Sequence, residues 1–205
     1  MGDTVGTLVP FLVALSFAAG LNVYATTGTL GILGRLGWVA LPPGLNVLSS
    51  RWVVGASVAC FAVEFFADKV PYFDLVWNVL HTFVRIPVAA LLAYRASIAM
   101  PPEMQWALTA MAAGVATVAH GSKTAARTLV SASPEPLTNA GLSSGEDALA
   151  IGLAWLATTH PWVAGIAAAA GVAVAAVCAR WVARALRKVW ARLTRAGRDL
   201  STVRS

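Results

Sequence analysis

The chain has 205 residues, enough for one domain, and 58% of them are hydrophobic with a mean hydropathy of +0.71. That composition excludes an ordinary soluble domain and points to a membrane protein. The formal net charge of +6 does not describe the body of the chain, because eight of the fifteen Lys and Arg lie at position 180 or beyond. Before that point seven bases face eight acids.

A run of about 20 apolar residues can cross the hydrocarbon core of a bilayer. Six runs are dominated by apolar and small residues: 8–32, 52–66, 75–93, 106–119, 148–158 and 163–179. Several are short and reach a full span only by including flanking polar residues. The first run lacks the positively charged start of a signal peptide, since Asp3 precedes it and no base occurs before Arg35. It is expected to be the first membrane helix, over about 7–34, interrupted near Gly20-Leu21-Asn22 and thinned along one side by Gly28, Gly31 and Gly34. Leu41-Pro42-Pro43-Gly44 breaks the chain, and Ser49 or Ser50 caps a second helix. Pro71 opens a third, which Pro87 is expected to kink. Pro101-Pro102 separates the halves, and a fourth helix covers about 103–131. Ser133-Pro134-Glu135-Pro136 cannot be helical, because Pro disfavours helix at the residue before it. The fifth helix begins near Ser143-Ser144-Gly145-Glu146, a capping-box pattern, and Pro161 starts the sixth.

The fold expected is therefore all-α, a polytopic transmembrane bundle of about six helices. The halves share an order of features. Pro43, Asn46, Ser49-Ser50 and Pro71-Tyr72 in the first match Pro136, Asn139, Ser143-Ser144 and Pro161-Trp162 in the second. With three helices in each half the second copy would enter from the opposite side, an inverted 3+3 repeat with broken or re-entrant segments, as in many transporters. Pro and Ser are also common at helix starts, so chance resemblance competes with this reading. The segments expected are 1–100 and 101–185 for the halves and 186–205 for a basic amphipathic tail.

The polar residues inside the apolar runs ask for a reason, since a charge at the centre of a membrane helix costs roughly 2.5–3.5 kcal/mol. Asp74, Asn78, His81 and Arg85 are spaced to share one face of the third helix. Thr117, His120, Lys123, Arg127 and Ser131 nearly share a face of the fourth. Glu64 and Asp68 end the second helix, and Glu146 and Asp147 start the fifth. The natural arrangement has these acids meeting Arg85 and Lys123 around a shared polar cavity. Asn22 and Tyr24 mark a broken first helix whose backbone could bind ions. The blander readings are interfacial placement for Asp68, Lys69 and Asp74, snorkelling for the bases of the fourth helix, capping for Glu146 and one interhelical hydrogen bond for Asn22.

In the tail Val182, Leu186, Val189 and Leu193 share a face, with Arg and Lys around the rest. This is either an in-plane helix or an extension of the sixth, and either suits anionic headgroups far better than nucleic acid. The basic end marks the cytoplasmic side, and six crossings put both termini there. Cys60 and Cys178 lie in apolar runs without metal-ligand spacing, so no cofactor or metal is expected. A homo-oligomer is compatible with the sequence.

Several strings resemble an uncharacterised bacterial family of multi-pass membrane proteins, domain of unknown function 4126. They are Gly20-Leu21-Asn22-Val23-Tyr24, Glu64-Phe65-Phe66-Ala67-Asp68-Lys69-Val70-Pro71 and His81-Thr82-Phe83-Val84-Arg85. His120-Gly121-Ser122-Lys123, Ser133-Pro134-Glu135-Pro136 and Ser144-Gly145-Glu146-Asp147 continue the resemblance. It covers about 8–160, implies a bacterial cytoplasmic membrane protein, and carries over no activity. The function expected from the residues is transport or channel-like passage of protons, ions or a small anionic solute. The alternatives are a membrane enzyme acting on lipid and a non-catalytic scaffold. Against the enzyme, no Gly-x-Ser-x-Gly or His-Glu-x-x-His occurs.

Overall fold

The computed structural model of the chain describes residues 2–68, 73–131 and 136–202. Among these residues there is no strand. Seven α-helices and one 3-10 helix follow in order: α1 (Gly2–Leu21), α2 (Val23–Arg35), the 3-10 helix η1 (Pro43–Ser49), α3 (Arg51–Ala67), α4 (Phe73–Ala96), α5 (Pro102–Ser131), α6 (Pro136–Thr159) and α7 (Pro161–Thr202). Val79–Ala96 in α4 and Pro161–Trp181 in α7 are each long and apolar enough to cross a membrane. Pro43–Ser49 and Arg51–Ala67, bent by 67° at their junction, make a third if they form one broken span.

The break expected near Asn22 is present, and its chemistry is local. Asn22 leaves the helical region at φ −149° and ψ 106°, and its side-chain oxygen accepts from the Ala25 N–H at 2.9 Å, the N-cap of α2. At its other end α2 closes on Gly37, whose φ of +71° L-residues with a side chain rarely adopt. The Gly37 N–H donates to the Gly34 carbonyl and the Trp38 N–H to the Leu33 carbonyl, the paired bonds of a Schellman motif.

Residue contacts give the helix directions. α1 runs parallel to α7, since Pro10 meets Gly165 and Phe17 meets Gly171. It ends beside α5 and α6, where the Leu21 carbonyl meets Lys123 and Asn22 meets Asp147. α2 then lies antiparallel to α3, with Thr27 on Ser57 and Gly31 on Leu48 and Val54. α4 and α5 are antiparallel, joined by Thr82 with His120 and by Tyr94 with Trp106. α5 runs eight residues past Lys123, and α6 comes back from Pro136 to Glu146. The ends of α2, α4 and α6 and the starts of α1, α3, α5 and α7 therefore gather at one end of the bundle, the η1 end.

This corrects the expectation of a single interrupted helix over 7–34. α1 and α2 form a hairpin with Asn22 at its tip, so the first apolar run returns to the end where it began. The start of α1 consequently lies toward the η1 end, while α7 runs away from that end. The basic tail continues α7 as one helix to Thr202. The Ser143-x-x-Glu146 pattern is not a helix start either, since both residues lie inside α6, which opens at Pro136. The repeat motifs take different forms in the two halves: Pro43–Ser49 is a 3-10 helix, whereas Pro136, Asn139 and Ser143 lie along α6. Pro87 sits inside an unbroken α4.

Small residues bring the helices close. A Cβ on Gly20 would stand 2.7 Å from the Ala116 carbonyl oxygen, and one on Gly31 2.5 Å from that of Leu48. Only glycine fits these two crossings without moving backbone. α1 packs centrally, against α5, α6 and α7 as well as α4, through Leu12, Leu15, Ala18 and their neighbours. The exposure pattern is the reverse of a soluble protein. Phe83, Trp52 and Ile166 are 77%, 75% and 68% exposed, while the bulkiest fully buried side chain is Arg85. An apolar exterior around a charged interior suits hydrocarbon as the surrounding solvent.

Candidate functional site

The charged interior is a network where α3, α4, α5 and α6 meet the tip of the α1–α2 hairpin. Glu64 and Arg85 are each 0% exposed and form an ion pair between the Arg85 Nη2 and the Glu64 Oε1. The Arg85 Nη1 lies 3.0 Å from His120 Nδ1. A guanidinium only donates, so His120 Nδ1 accepts and the ring is neutral with its proton on Nε2. That proton is donated to Thr82 Oγ1 at 2.7 Å.

Lys123 is the second hub. Its Nζ lies 3.0 Å from Asp68 Oδ2, 3.3 Å from Glu146 Oε2 and 3.8 Å from Glu64 Oε1. It also donates to the Leu21 carbonyl at 3.1 Å. This carbonyl ends α1, where the helix dipole is negative, so the ammonium both fills an orphan acceptor and opposes the dipole. Asp147 stands apart from these ion pairs. The Asn22 Nδ2 donates to its Oδ1 at 2.8 Å, so Asn22 caps α2 with one side-chain atom and ties α6 with the other.

His81 lies one turn before Arg85. Its Nδ1 donates to the Trp77 carbonyl at 2.8 Å, and its ring is edge-to-face with Tyr24 at 5.6 Å. Among the described residues, Glu64 Oε2, Asp147 Oδ2, His81 Nε2 and Ser143 Oγ are buried without a hydrogen-bond partner. No group of three or more His, Cys, Asp or Glu among those residues could hold a metal ion.

The expected pairing of acids from α3 and α6 with bases from α4 and α5 is thus present. Asp147 does not join it as an ion-pair partner, since it bonds Asn22 instead. Asp68 is buried in the network rather than lying exposed at a boundary, and Glu146 faces Lys123 rather than capping a helix. Among the described residues Tyr24 makes no hydrogen bond to the network and packs edge-to-face on His81. Thr117 faces outward, its hydroxyl bonded to the Ala113 carbonyl. The side chains of Asp74, Asn78, Arg127 and Ser131 lie outside the described residues, as do Lys69 and 132–135. Of the α4 and α5 stripes, Arg85 meets His120 directly, and Thr82 beside the α4 stripe bonds the same ring. Sequence reasoning missed Thr82 and the Leu21 carbonyl. Thr82 beside His81 carries no distinguishing signal, and a backbone acceptor shows only once the helix is seen to end there.

The family model for a domain of unknown function, DUF4126, matches residues 9–181, and the chain belongs to that family. The match covers the hairpin from residue 9 onward, the network and the membrane-length part of α7, and leaves out the basic tail. No curated protein and no solved structure matches the chain.

Proposed function

We propose that this member of the family is a multi-pass protein of a bacterial cytoplasmic membrane that passes protons, or small cations in their place, through its buried network as a transporter or channel. One observation carries the reading. Three buried carboxylates, Glu64, Asp68 and Glu146, contact two buried bases, Arg85 and Lys123, and a fourth, Asp147, is buried on Asn22, among the described residues. A site with more acids than bases is relieved by taking up positive charge, and a proton is the smallest carrier of it. Buried acceptors without partners, at Asp147 Oδ2 and His81 Nε2, offer places to hold one. An anionic solute has less support, because both bases are already engaged by carboxylates. The scaffold reading draws its support from the same ion pairs, which leave neither base idle.

Proteoliposomes holding a pH-sensitive dye test the proposal. The wild type should dissipate an imposed pH gradient when charge balance is provided. Asp147→Asn keeps a partner for Asn22 and removes the titrating group, so the initial rate should fall about tenfold or more, with thermal unfolding little changed. A wild type as tight as empty vesicles would sink proton passage and leave the network as an ion-paired clamp. A panel of alkali cations run in parallel decides between protons and cations.

The hairpin reading sets the topology. We place the basic tail in the cytoplasm by the excess of Arg and Lys, with α3 to α7 as five crossings and α1–α2 as a re-entrant pair. The chain then begins on the external side. A C-terminal fluorescent-protein fusion should be bright, and an N-terminal phosphatase fusion active outside. Both termini on one side would overturn the hairpin.

A further inference from the structure

A cavity of about 440 Å³ opens between α2, η1, α3 and α4. That volume is within the range of small-molecule sites, roughly 300–1,000 Å³. Leu45, Leu48, Val53, Val88 and Leu92 are among its apolar lining residues. The Thr27 and Ser57 hydroxyls on the wall are bonded to each other at 3.0 Å, and Thr27 Oγ1 bonds the Val23 carbonyl, so these polar atoms are already satisfied. The mouth reaches the outside of the bundle, where Trp52 and Leu91 are exposed. That exterior is the apolar one, so the cavity opens toward hydrocarbon.

One end of the cavity is charged. Among the described residues Arg95 is its only charged lining residue, at the η1 end, with Nε 3.4 Å from the Gly44 carbonyl. Arg51 lies over the ring of Trp52, 5.2 Å from its centroid, and Trp52 lines the same cavity. Arg95 lines the cavity itself, whereas Arg51 borders it through the Trp52 ring. Glu103 begins α5 at this end and is not part of the lining. From Val88 to Arg95 along α4 the wall rises about 10 Å, a length that suits part of an alkyl chain.

We propose that this cavity holds an acyl chain of an anionic phospholipid, with the lipid phosphate on Arg95 and Arg51 beside it. An apolar slot open to hydrocarbon selects for a lipid tail, and a guanidinium at its headgroup end selects for an anionic head. The proposal rests on membrane placement and not on proton passage. Lipid retention is measured without a gradient, so the two readings fail separately.

The test offers purified, delipidated protein equal amounts of phosphatidylglycerol and phosphatidylcholine in an uncharged detergent and counts retained lipids by native mass spectrometry. The wild type should retain one phosphatidylglycerol, preferred by roughly fivefold for each guanidinium engaged. Arg95→Gln should lose most of that preference and Arg95→Lys keep it. Ala56→Trp, which fills the cavity, should lower retention of both lipids several-fold. Phosphatidylglycerol with brominated chains provides a second readout without a filled cavity. It should quench wild-type fluorescence more than that of Trp52→Phe. Equal retention of the two lipids, an Arg95→Gln protein with unchanged preference, or quenching independent of Trp52 would each overturn the proposal.

Discussion

Arg85→Met should cost the fold about 3–5 kcal/mol, and adding Glu64→Met to the same chain should return most of it. Both side chains are 0% exposed and meet in one ion pair. Losing the guanidinium leaves Glu64 buried with only Lys123 Nζ at 3.8 Å, already shared with Asp68 and Glu146. An uncompensated buried charge is far more costly than two apolar side chains of similar volume, and replacement of a whole pair is often neutral or stabilising by about 1–4 kcal/mol. Denaturant titration of helicity in mixed micelles, run as a double-mutant cycle, reads the coupling directly. A single-variant loss below about 1 kcal/mol would mean that the pair is solvated and not buried. The cycle also separates structure from function. If proton passage uses this pair, the double variant folds but is inactive, whereas Arg85→Ala alone confounds the two.

That pair was legible because it depends on periodicity and cost. His81 and Arg85 are a turn apart on an apolar helix, and a buried base must find an acid, so Glu64, Asp68 and Asp147 were the natural partners, of which Asp147 bonds Asn22 instead. The partner of Asn22 was not legible. It is Asp147, 125 positions away, and no local rule ranks that acid above Glu146. The hairpin was hidden for a related reason. An apolar run over 8–32 has the length of one crossing, and the N-cap at Asn22 announces a break without its direction. Direction comes from glycine-backed crossings, Gly20 on Ala116 and Gly31 on Leu48, which are tertiary contacts. The capping-box pattern at Ser143 misled because it is purely local, and α6 had already begun at Pro136. Exposure of Thr117 shows the limit of counting polar residues on a face, since a hydroxyl can satisfy itself on the preceding turn.

Lys123→Met should be the most damaging single change in the network. One ammonium contacts carboxylates from α3 and α6 and the carbonyl that ends α1, and it is itself carried on α5. No other described base lies close enough to replace it, because Arg85 is committed to Glu64 and His120. Methionine fills the space yet leaves Asp68, Glu146 and a share of Glu64 facing one another, and the α1 terminus without its donor. The loss should therefore equal or exceed the roughly 3–5 kcal/mol expected for breaking one buried pair. Lys123→Arg should not rescue it. A planar fork suits one carboxylate bidentately, whereas the ammonium directs three donors to separate acceptors. Neutralising the acids should succeed where replacing the base does not. Adding Asp68→Asn and Glu146→Gln to Lys123→Met removes two of the opposed charges while keeping side-chain shape, and should recover a folded, monodisperse protein. Thermal unfolding in detergent decides the matter. A Lys123→Met protein that melts with the wild type would show that the ammonium does not hold these helices together. If Lys123→Met is destabilised and the triple variant is no better, the loss arises from the α1 terminus rather than from the crowded carboxylates.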